Sequence, residues 1–294
     1  MTRVAFIGLG NMGSGMAANQ LKAGREVAAF DLKSEAVARA REQGMLAAAS
    51  AAEAVKDADV VITMLPAGQH VSDVYMQSIL PNARKDALLI DCSTIDVDSA
   101  RTVARDASMQ GFRAADAPVS GGTAAASGGT LTFMVGCREQ DFPDFEESLK
   151  PMAKAVIHAG SSGAGQAAKI CNNMLLGISM IGTCEAFVLA ERLGLDPQKF
   201  FDIATKASGQ CWSLTSYCPV PGPVPAAPSN RDYEGGFAAA MMLKDLKLAQ
   251  DAAEAFGAAT PLGGAAEALF SEFVQRGHAG KDFSGIVQML RGKA

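Results

Sequence analysis

A chain of 294 residues is long enough to bury more than one hydrophobic core, and its length predicts two domains. A net charge of −5 with only 19% charged residues excludes a basic nucleic-acid-binding surface. The six cysteines form no C-x-x-C pair and the three histidines stand apart, so no metal site is expected, and reduced thiols are the default.

The residues after Met1 lead straight into an apolar run, without the charged, apolar and small-residue succession of an export signal, so the expectation is a cytoplasmic protein. That run, "VAFIGLG", reads as a strand ending in glycines. Gly8, Gly10 and Gly13 stand at G-x-G-x-x-G spacing, with Asn11 and Met12 inside the turn. Gly8 lets the chain leave the strand tightly, Gly10 lets backbone approach a pyrophosphate, and Gly13 lets the next helix pack close. The start of that helix presents backbone N–H groups and the positive end of its dipole to an anion. Alone, the spacing also fits an ordinary glycine-rich turn; its context argues for a dinucleotide.

An amphipathic helix carrying Met12, Met16 and Leu21 follows and stops at Gly24, and "REVAAFD" then predicts a second strand ending in Asp31. That carboxylate lies about twenty residues past the glycines, where it accepts hydrogen bonds from a ribose and repels a 2′-phosphate. NAD is therefore expected over NADP, a preference that Lys33 weakens. Closing a strand or capping a turn is the bland alternative for Asp31.

Further strands are predicted at Val60–Leu65, at Leu88–Cys92, up to about Ala117, and in "TLTFMVG", alternating with helices. The pattern predicts an α/β fold: a Rossmann-type, doubly wound, mostly parallel sheet over residues 1–162. Ligands of such sheets bind beyond the strand C-termini, which directs attention to Leu65–Pro66, Ser93–Thr94 and "APVSGG".

Residues 163–294 read as an all-α domain. "ICNNMLLGISMIGTCEAFVLA" is long and apolar enough to raise the membrane question, but Asn172, Asn173 and Glu185 favour a helix buried in protein. Asp196 and Pro197 start the next helix, and two more follow at "FAAAMMLKDLKLAQDAAEAFG" and "PLGGAAEALFSEFVQRG". Between the helix begun at Asp196 and the first of these two lies a proline-rich stretch, residues 218–229, that reads as a lid or, less readily, a linker.

A nicotinamide enzyme also needs a group that exchanges the substrate's hydroxyl proton. His70, His158 and His278 lack convergent polar neighbours. Lys169 and Asn173 are four residues apart, hence on one helical face near a glycine-rich helix start. The helix dipole and burial both push a lysine there toward its neutral form, although a solvated surface lysine fits the local sequence as well. Ser120, Gly121 and Gly122 offer a hydroxyl and backbone N–H groups to a carboxylate, or form only a flexible turn. Lys244, beside Asp245 in an apolar helix, either snorkels to solvent or reaches a cofactor.

Together "GLGNMGSGMAANQL", "DAPVSGGTAAASGGTL", "GQAAKICNN" and "MLKDLKLA" resemble, in order and spacing, the β-hydroxyacid dehydrogenase family over essentially the whole chain. The resemblance implies that Lys169 is the catalytic acid/base and that Ser120, Gly121, Gly122 and Asn173 hold a small β-hydroxyacid. It also implies that Leu65, Pro66 and Thr94 line the nicotinamide and that Lys244 lies near the cofactor. Within the family, "SGQCWSLTSYCPVPG" and "YEGGF" are similar to members acting on a methyl-branched substrate, with Trp212 and Phe237 as the apolar wall. Relatives that reduce a short hydroxylated semialdehyde are the nearer alternative, and a nucleotide-binding protein without catalysis the more distant one. The weakly charged long helix makes a homodimer or homotetramer the expected assembly.

Overall fold

The computed structural model describes residues 1–292. It divides into two compact units, Met1–Lys169 and the chain from Ile170 onward.

Strand β1 (Arg3–Ile7) shows why the first unit is a sheet covered on both faces. Val4 and Phe6 pack with Met16 and Ala17 of α1 (Gly13–Lys22), whereas Ala5 and Ile7 pack on the opposite face with Ala54 and Val55. From Val4 to Ile7 the strand is apolar and buried at every position and has no solvent face to offer, so helices must cover both sides. Helix α2 (Ser34–Glu42) joins α1 on one face through Ala36 and Ala40; α3 (Val97–Met109) covers the other through Ala100, Val103 and Ala107.

The remaining strands are β2 (Glu26–Phe30), β3 (Leu46–Ala47), β4 (Val60–Thr63), β5 (Leu88–Asp91), β6 (Arg113–Asp116), β7 (Val119–Ser120), β8 (Leu131–Gly136) and β9 (Ala153–Gly160). They lie in the order β3-β2-β1-β4-β5-β6-β8-β7, with β9 against β8. From β3 to β6 every pairing is parallel, with β1 and β4 in register from Val4↔Val60 to Ile7↔Thr63. Beyond them β8 runs antiparallel to β6 and β7 and parallel to β9. This is the doubly wound, mostly parallel sheet expected. The chain leaves β1 toward β2 and returns on its other side at β4, so the strand order reverses between β1 and β4, where such sheets bind ligands.

A short helix α4 (Gly122–Gly128) follows β7, and α5 (Ala164–Arg192) runs for 29 residues. The compact division falls inside α5, because its first turn is hydrogen-bonded to strand ends of the sheet: Gly163 and Gln166 both donate backbone N–H groups to Asp116. Among the described residues α5 is long and apolar enough to cross a membrane. Its Met180, Cys184 and Phe187, however, enter the core of the second unit. That core also takes Met242 and Leu246 of α7 (Ala239–Ala255) and Phe270 and Phe273 of α8 (Pro261–Phe273), while α6 (Pro197–Ala204) adds Ala204. The Asp196 carboxylate caps α6 by accepting from the Lys199 N–H at 3.0 Å, as its sequence predicts.

The proline-rich stretch is tied to itself. Ser229 donates to the Cys218 carbonyl at 2.8 Å, Tyr233 to the Pro219 carbonyl at 2.9 Å, and Asn230 accepts from the Gly222 N–H at 2.9 Å. Val220 and Ala227 are buried within it, so it is a folded part of the second unit rather than a linker.

Candidate functional site

The three glycines after β1 occupy three different situations. Gly8 has φ +98°, and a Cβ there would stand 2.3 Å from the Met64 carbonyl oxygen, so only glycine lets the ends of β1 and β4 pass so closely. A Cβ on Gly13 would stand 1.9 Å from the Gly8 carbonyl oxygen; its absence lets α1 pack on the turn. Around Gly10 no residue other than its two chain neighbours comes within 4 Å of a Cβ position. Nothing in the fold requires glycine there, whereas a pyrophosphate laid against the turn does. Asn11 is exposed beside it and Met12, half-buried, leads into α1 without a side-chain cap, and the first turn of α1 holds no acidic residue. The helix start therefore faces an incoming anion with its own N–H groups.

Asp31 is fixed to this turn. One carboxylate oxygen accepts from the Leu9 N–H at 2.6 Å and the other from the Lys33 N–H at 2.8 Å. A carboxylate has about four lone-pair positions, so two remain to receive ribose hydroxyls. Lys33 thus adds a backbone donor to Asp31 and begins α2 as its N-cap residue. The observed cradle fits a dinucleotide: open space at Gly10, a helix N-terminus, and an anchored acceptor.

The loops after β4 and β5 are linked. The Leu65 N–H donates to the Ser93 hydroxyl at 2.8 Å, and that hydroxyl donates to Asp91 at 2.6 Å, where Thr63 also donates at 2.7 Å. Leu65 and Thr94 are half-buried and Pro66 is exposed at the tips of these loops. The Gln166 side chain reaches from α5 into the second loop, donating to the Ser93 carbonyl at 2.7 Å and accepting from the Ile95 N–H at 3.1 Å. Asp116, at the end of β6, accepts from the N–H groups of Gly163 at 2.7 Å and Gln166 at 2.9 Å. Burial pushes the Asp116 carboxyl up to about 6, against those two N–H bonds, which favour its charged form.

Lys169 follows one turn later on α5 and is buried, with 7% of its surface exposed. The solvated-lysine reading is therefore incorrect. Ser120 is half-buried at the end of β7, and Gly121 and Gly122, at φ +136° and +70°, swing the chain from that strand into α4. A Cβ on Gly121 would come 2.6 Å from that of Ala125, so the turn requires glycine.

In the second unit Asn173 donates to the Asp245 carboxylate at 2.5 Å and accepts from the Asn172 amide at 2.9 Å; both Asn173 and Asp245 are buried. Lys244 is half-buried next to Asp245 on α7. Trp212, 51% exposed, stacks on Tyr217 with ring centroids 4.9 Å apart, and Tyr217 and Phe237 both pack against Phe283 at 5.5 and 5.7 Å. Trp212 and Phe237 thus belong to one aromatic cluster. Asp282 anchors it, accepting from the Tyr217 hydroxyl and the Phe237 N–H, each at 2.8 Å. Burial raises the Asp282 carboxyl and the Tyr217 phenol above their ordinary ranges.

Asp91, Asp116, Gln166, Tyr217 and Asp282 escape sequence reading as positioning groups. Asp116 and Gln166 do sit inside "DAPVSGG" and "GQAAKICNN", but nothing local shows that they meet across 50 residues of chain. The histidines have structural settings: His158 contacts the Cys137 carbonyl at 3.1 Å, His278 stacks on Phe273, and His70 is exposed.

Residues 3–160 match the family model described as the NAD binding domain of 6-phosphogluconate dehydrogenase, and residues 163–290 match the NAD-binding model of NADP-dependent 3-hydroxyisobutyrate dehydrogenase. The chain is 49% identical to the 3-hydroxyisobutyrate dehydrogenase of Pseudomonas aeruginosa, over 100% of both chains. It is also 46% identical to the NAD-dependent L-serine dehydrogenase of the same organism, over 99% of this chain and 98% of that one. The solved structure of the Mycobacterium tuberculosis 3-hydroxyisobutyrate dehydrogenase with L-serine superposes with a TM-score of 0.96 at 49% identity, covering 99% of each chain.

Proposed function

The chain belongs to the β-hydroxyacid dehydrogenase family, among the 3-hydroxyisobutyrate dehydrogenases, and we propose that it oxidises 3-hydroxyisobutyrate to methylmalonate semialdehyde, as in valine breakdown. It is a nicotinamide-dependent oxidoreductase with NAD as cofactor. The observation that carries the reading is Lys169: a buried amine on the helix whose first turn is hydrogen-bonded to the loop after β5.

The glycine turn at Gly8, Gly10 and Gly13, with Asn11 and Met12, would hold the pyrophosphate of NAD, Asp31 would receive the adenosine ribose, and Leu65, Pro66 and Thr94 would flank the nicotinamide. The family resemblance adds Lys244 as a further residue that would contact the cofactor. When bound, NAD supplies the hydride acceptor. Neutral Lys169 takes the hydroxyl proton as the carbinol C–H bond gives up its hydride, and returns that proton to solvent after aldehyde release. Ser120 and the Gly121–Gly122 turn hold the substrate carboxylate, and Asn173, oriented by Asp245, holds the hydroxyl. Placing these groups supplies most of the rate enhancement, with proton transfer itself contributing about 10² to 10⁴.

Trp212 and Phe237 support the methyl-branched substrate, because an apolar wall leaves a hydroxyl without a partner. L-Serine is the second reading. It differs only in an ammonium group where the first substrate has a methyl, the exposed Trp212 ring offers that cation a π face, and a 46% identical relative is named for it. Initial rates of NAD reduction with 3-hydroxyisobutyrate, L-serine and glycerate separate the readings. A preference for 3-hydroxyisobutyrate supports the first; a preference for L-serine replaces it with the second; no turnover on any of them removes the enzyme assignment.

A homodimer or homotetramer built through the helical unit, in the cytoplasm, completes the proposal. Leu175 and Leu189 of α5 are 63% and 60% exposed, an apolar face that a second copy would cover, and all six cysteines are free thiols. A monomer in sedimentation would sink the assembly.

A further inference from the structure

The loops proposed to flank the nicotinamide are separate in sequence from the helix that carries Lys169, and one buried side chain reaches from that helix to the loop after β5. Gln166 lies three residues before Lys169 on α5. Its amide is used on both sides, Nε2 donating to the Ser93 carbonyl at 2.7 Å and Oε1 accepting from the Ile95 N–H at 3.1 Å, so Thr94 is bracketed between its two contacts. The Ser93 hydroxyl carries the chain of bonds onward to the Leu65 N–H at 2.8 Å and to Asp91 at 2.6 Å. Asp116 fixes the same helix turn from β6 through the Gly163 and Gln166 N–H groups. All of Ser93, Asp91, Asp116 and Gln166 are buried.

We infer that Gln166 is a positioning residue for the reaction: it locks the loop Ser93–Ile95, and through Ser93 the Leu65 loop, in register with Lys169. The glutamine suits this task chemically. It is uncharged and bonded at both polar ends, so its burial costs little, and an amide presents a donor and an acceptor side by side without needing to be protonated, to the carbonyl of one residue and the N–H of another two positions on. A lysine base and a nicotinamide-flanking loop held by one side chain share its errors of placement, and a misplacement of about 1 Å costs on the order of 10²-fold in rate. The inference rests on the reading of Lys169 as acid/base.

Two variants of the full-length protein test it. Gln166→Met keeps length and burial but removes both contacts. Gln166→Glu keeps the acceptor for Ile95 and has a donor for Ser93 only when its carboxyl is protonated. Three quantities are measured well below the unfolding temperature: steady-state kcat and KM with NAD, NAD binding by the protein alone, and hydrogen exchange of the Ser93–Ile95 segment without ligand. The expected result for Gln166→Met is a kcat lower by about 10- to 100-fold, NAD affinity within about threefold of wild type, and Ile95 exchange faster by about tenfold or more. Relative to wild type, Gln166→Glu recovers kcat as pH falls, since protonation restores the donor. A kcat within twofold of wild type despite faster exchange makes Gln166 merely structural and overturns the inference. Unchanged Ile95 exchange overturns it too, since the bond then does not hold the loop. If Gln166→Met fails to fold, the pH-dependent kcat ratio of Gln166→Glu decides alone: a flat ratio overturns the inference. Wild-type turnover that survives Lys169→Ala overturns the acid/base reading and this inference with it, whereas lysine-dependent turnover with an indifferent Gln166→Met overturns the inference only.

Discussion

Gly10→Ala separates binding from folding with one methyl group. Apart from Gly10 and its two chain neighbours no residue comes within 4 Å of the added Cβ, and Gly10 is not among the glycines with positive φ, so alanine meets neither a clash nor backbone strain. The change in stability is expected to lie within about 1 kcal/mol, and reduced freedom of the unfolded chain biases it toward stabilisation. In the proposed complex with NAD the same methyl would stand where the pyrophosphate approaches the backbone. Losing one charge-assisted hydrogen bond there costs about 2 kcal/mol, which is about a 30-fold weaker Kd for NAD. Gly13→Ala is the control with the opposite expectation. Its Cβ would lie 1.9 Å from the Gly8 carbonyl oxygen, so backbone must move, at a cost of about 3 kcal/mol in stability. Denaturant unfolding gives the stabilities and isothermal titration the affinities. A Gly10→Ala protein that binds NAD like the wild type, or that loses as much stability as Gly13→Ala, would refute the assignment of this turn.

Lys169→Ala should lower kcat by about 10² to 10⁴ while leaving NAD affinity nearly unchanged, as rapid-mixing and titration measurements would show. Asp31→Ala should narrow the preference for NAD over NADP, read from the ratio of kcat/KM for the two cofactors; an unaltered ratio would leave Asp31 as a turn cap only. Asp116 makes a pH prediction. Its carboxyl is raised from 3.8 to about 6 in the folded protein, so the folded state holds the proton more tightly between those values. The contribution of Asp116 to stability is therefore fully present below pH ~4 and is lost as pH rises through 6, about 3 kcal/mol in all. Unfolding of wild type and Asp116→Asn, compared at pH 4 and pH 7, should show that difference, and parallel pH dependences would contradict it.

The glycine turn was legible because its spacing encodes local backbone requirements, and Gly8 and Gly13 meet them as expected. The place of Asp31 beside that turn was legible because its distance along the chain follows from one strand–helix–strand unit. The strands β3 and β9 are different cases. Leu46–Ala47 is too short for any periodicity, and Ala153–Gly160 is partly exposed along its length, so neither shows the buried apolar run of three or four residues that marks β1, β4 and β5. The antiparallel placement of β8 depends on which segments pair, Asp116 with Gly136 and Val119 with Phe133, which composition does not encode. The same holds for the supporting groups of the site. Gln166 meets Ser93 across 73 residues and Tyr217 meets Asp282 across 65, and residues of such common types carry no mark of a partner that far away. Lys169 is the instructive intermediate. Its local sequence fits a solvated lysine, and only burial in the folded chain distinguishes it.

The most direct test of the central claim follows the hydrogen itself. With 3-hydroxyisobutyrate carrying two deuterium atoms on its carbinol carbon, mass spectrometry of the cofactor should find one deuterium in the NADH formed and one left in the aldehyde. Conversion should depend on Lys169. Unlabelled NADH, or no conversion with a protein that binds NAD, would contradict the account.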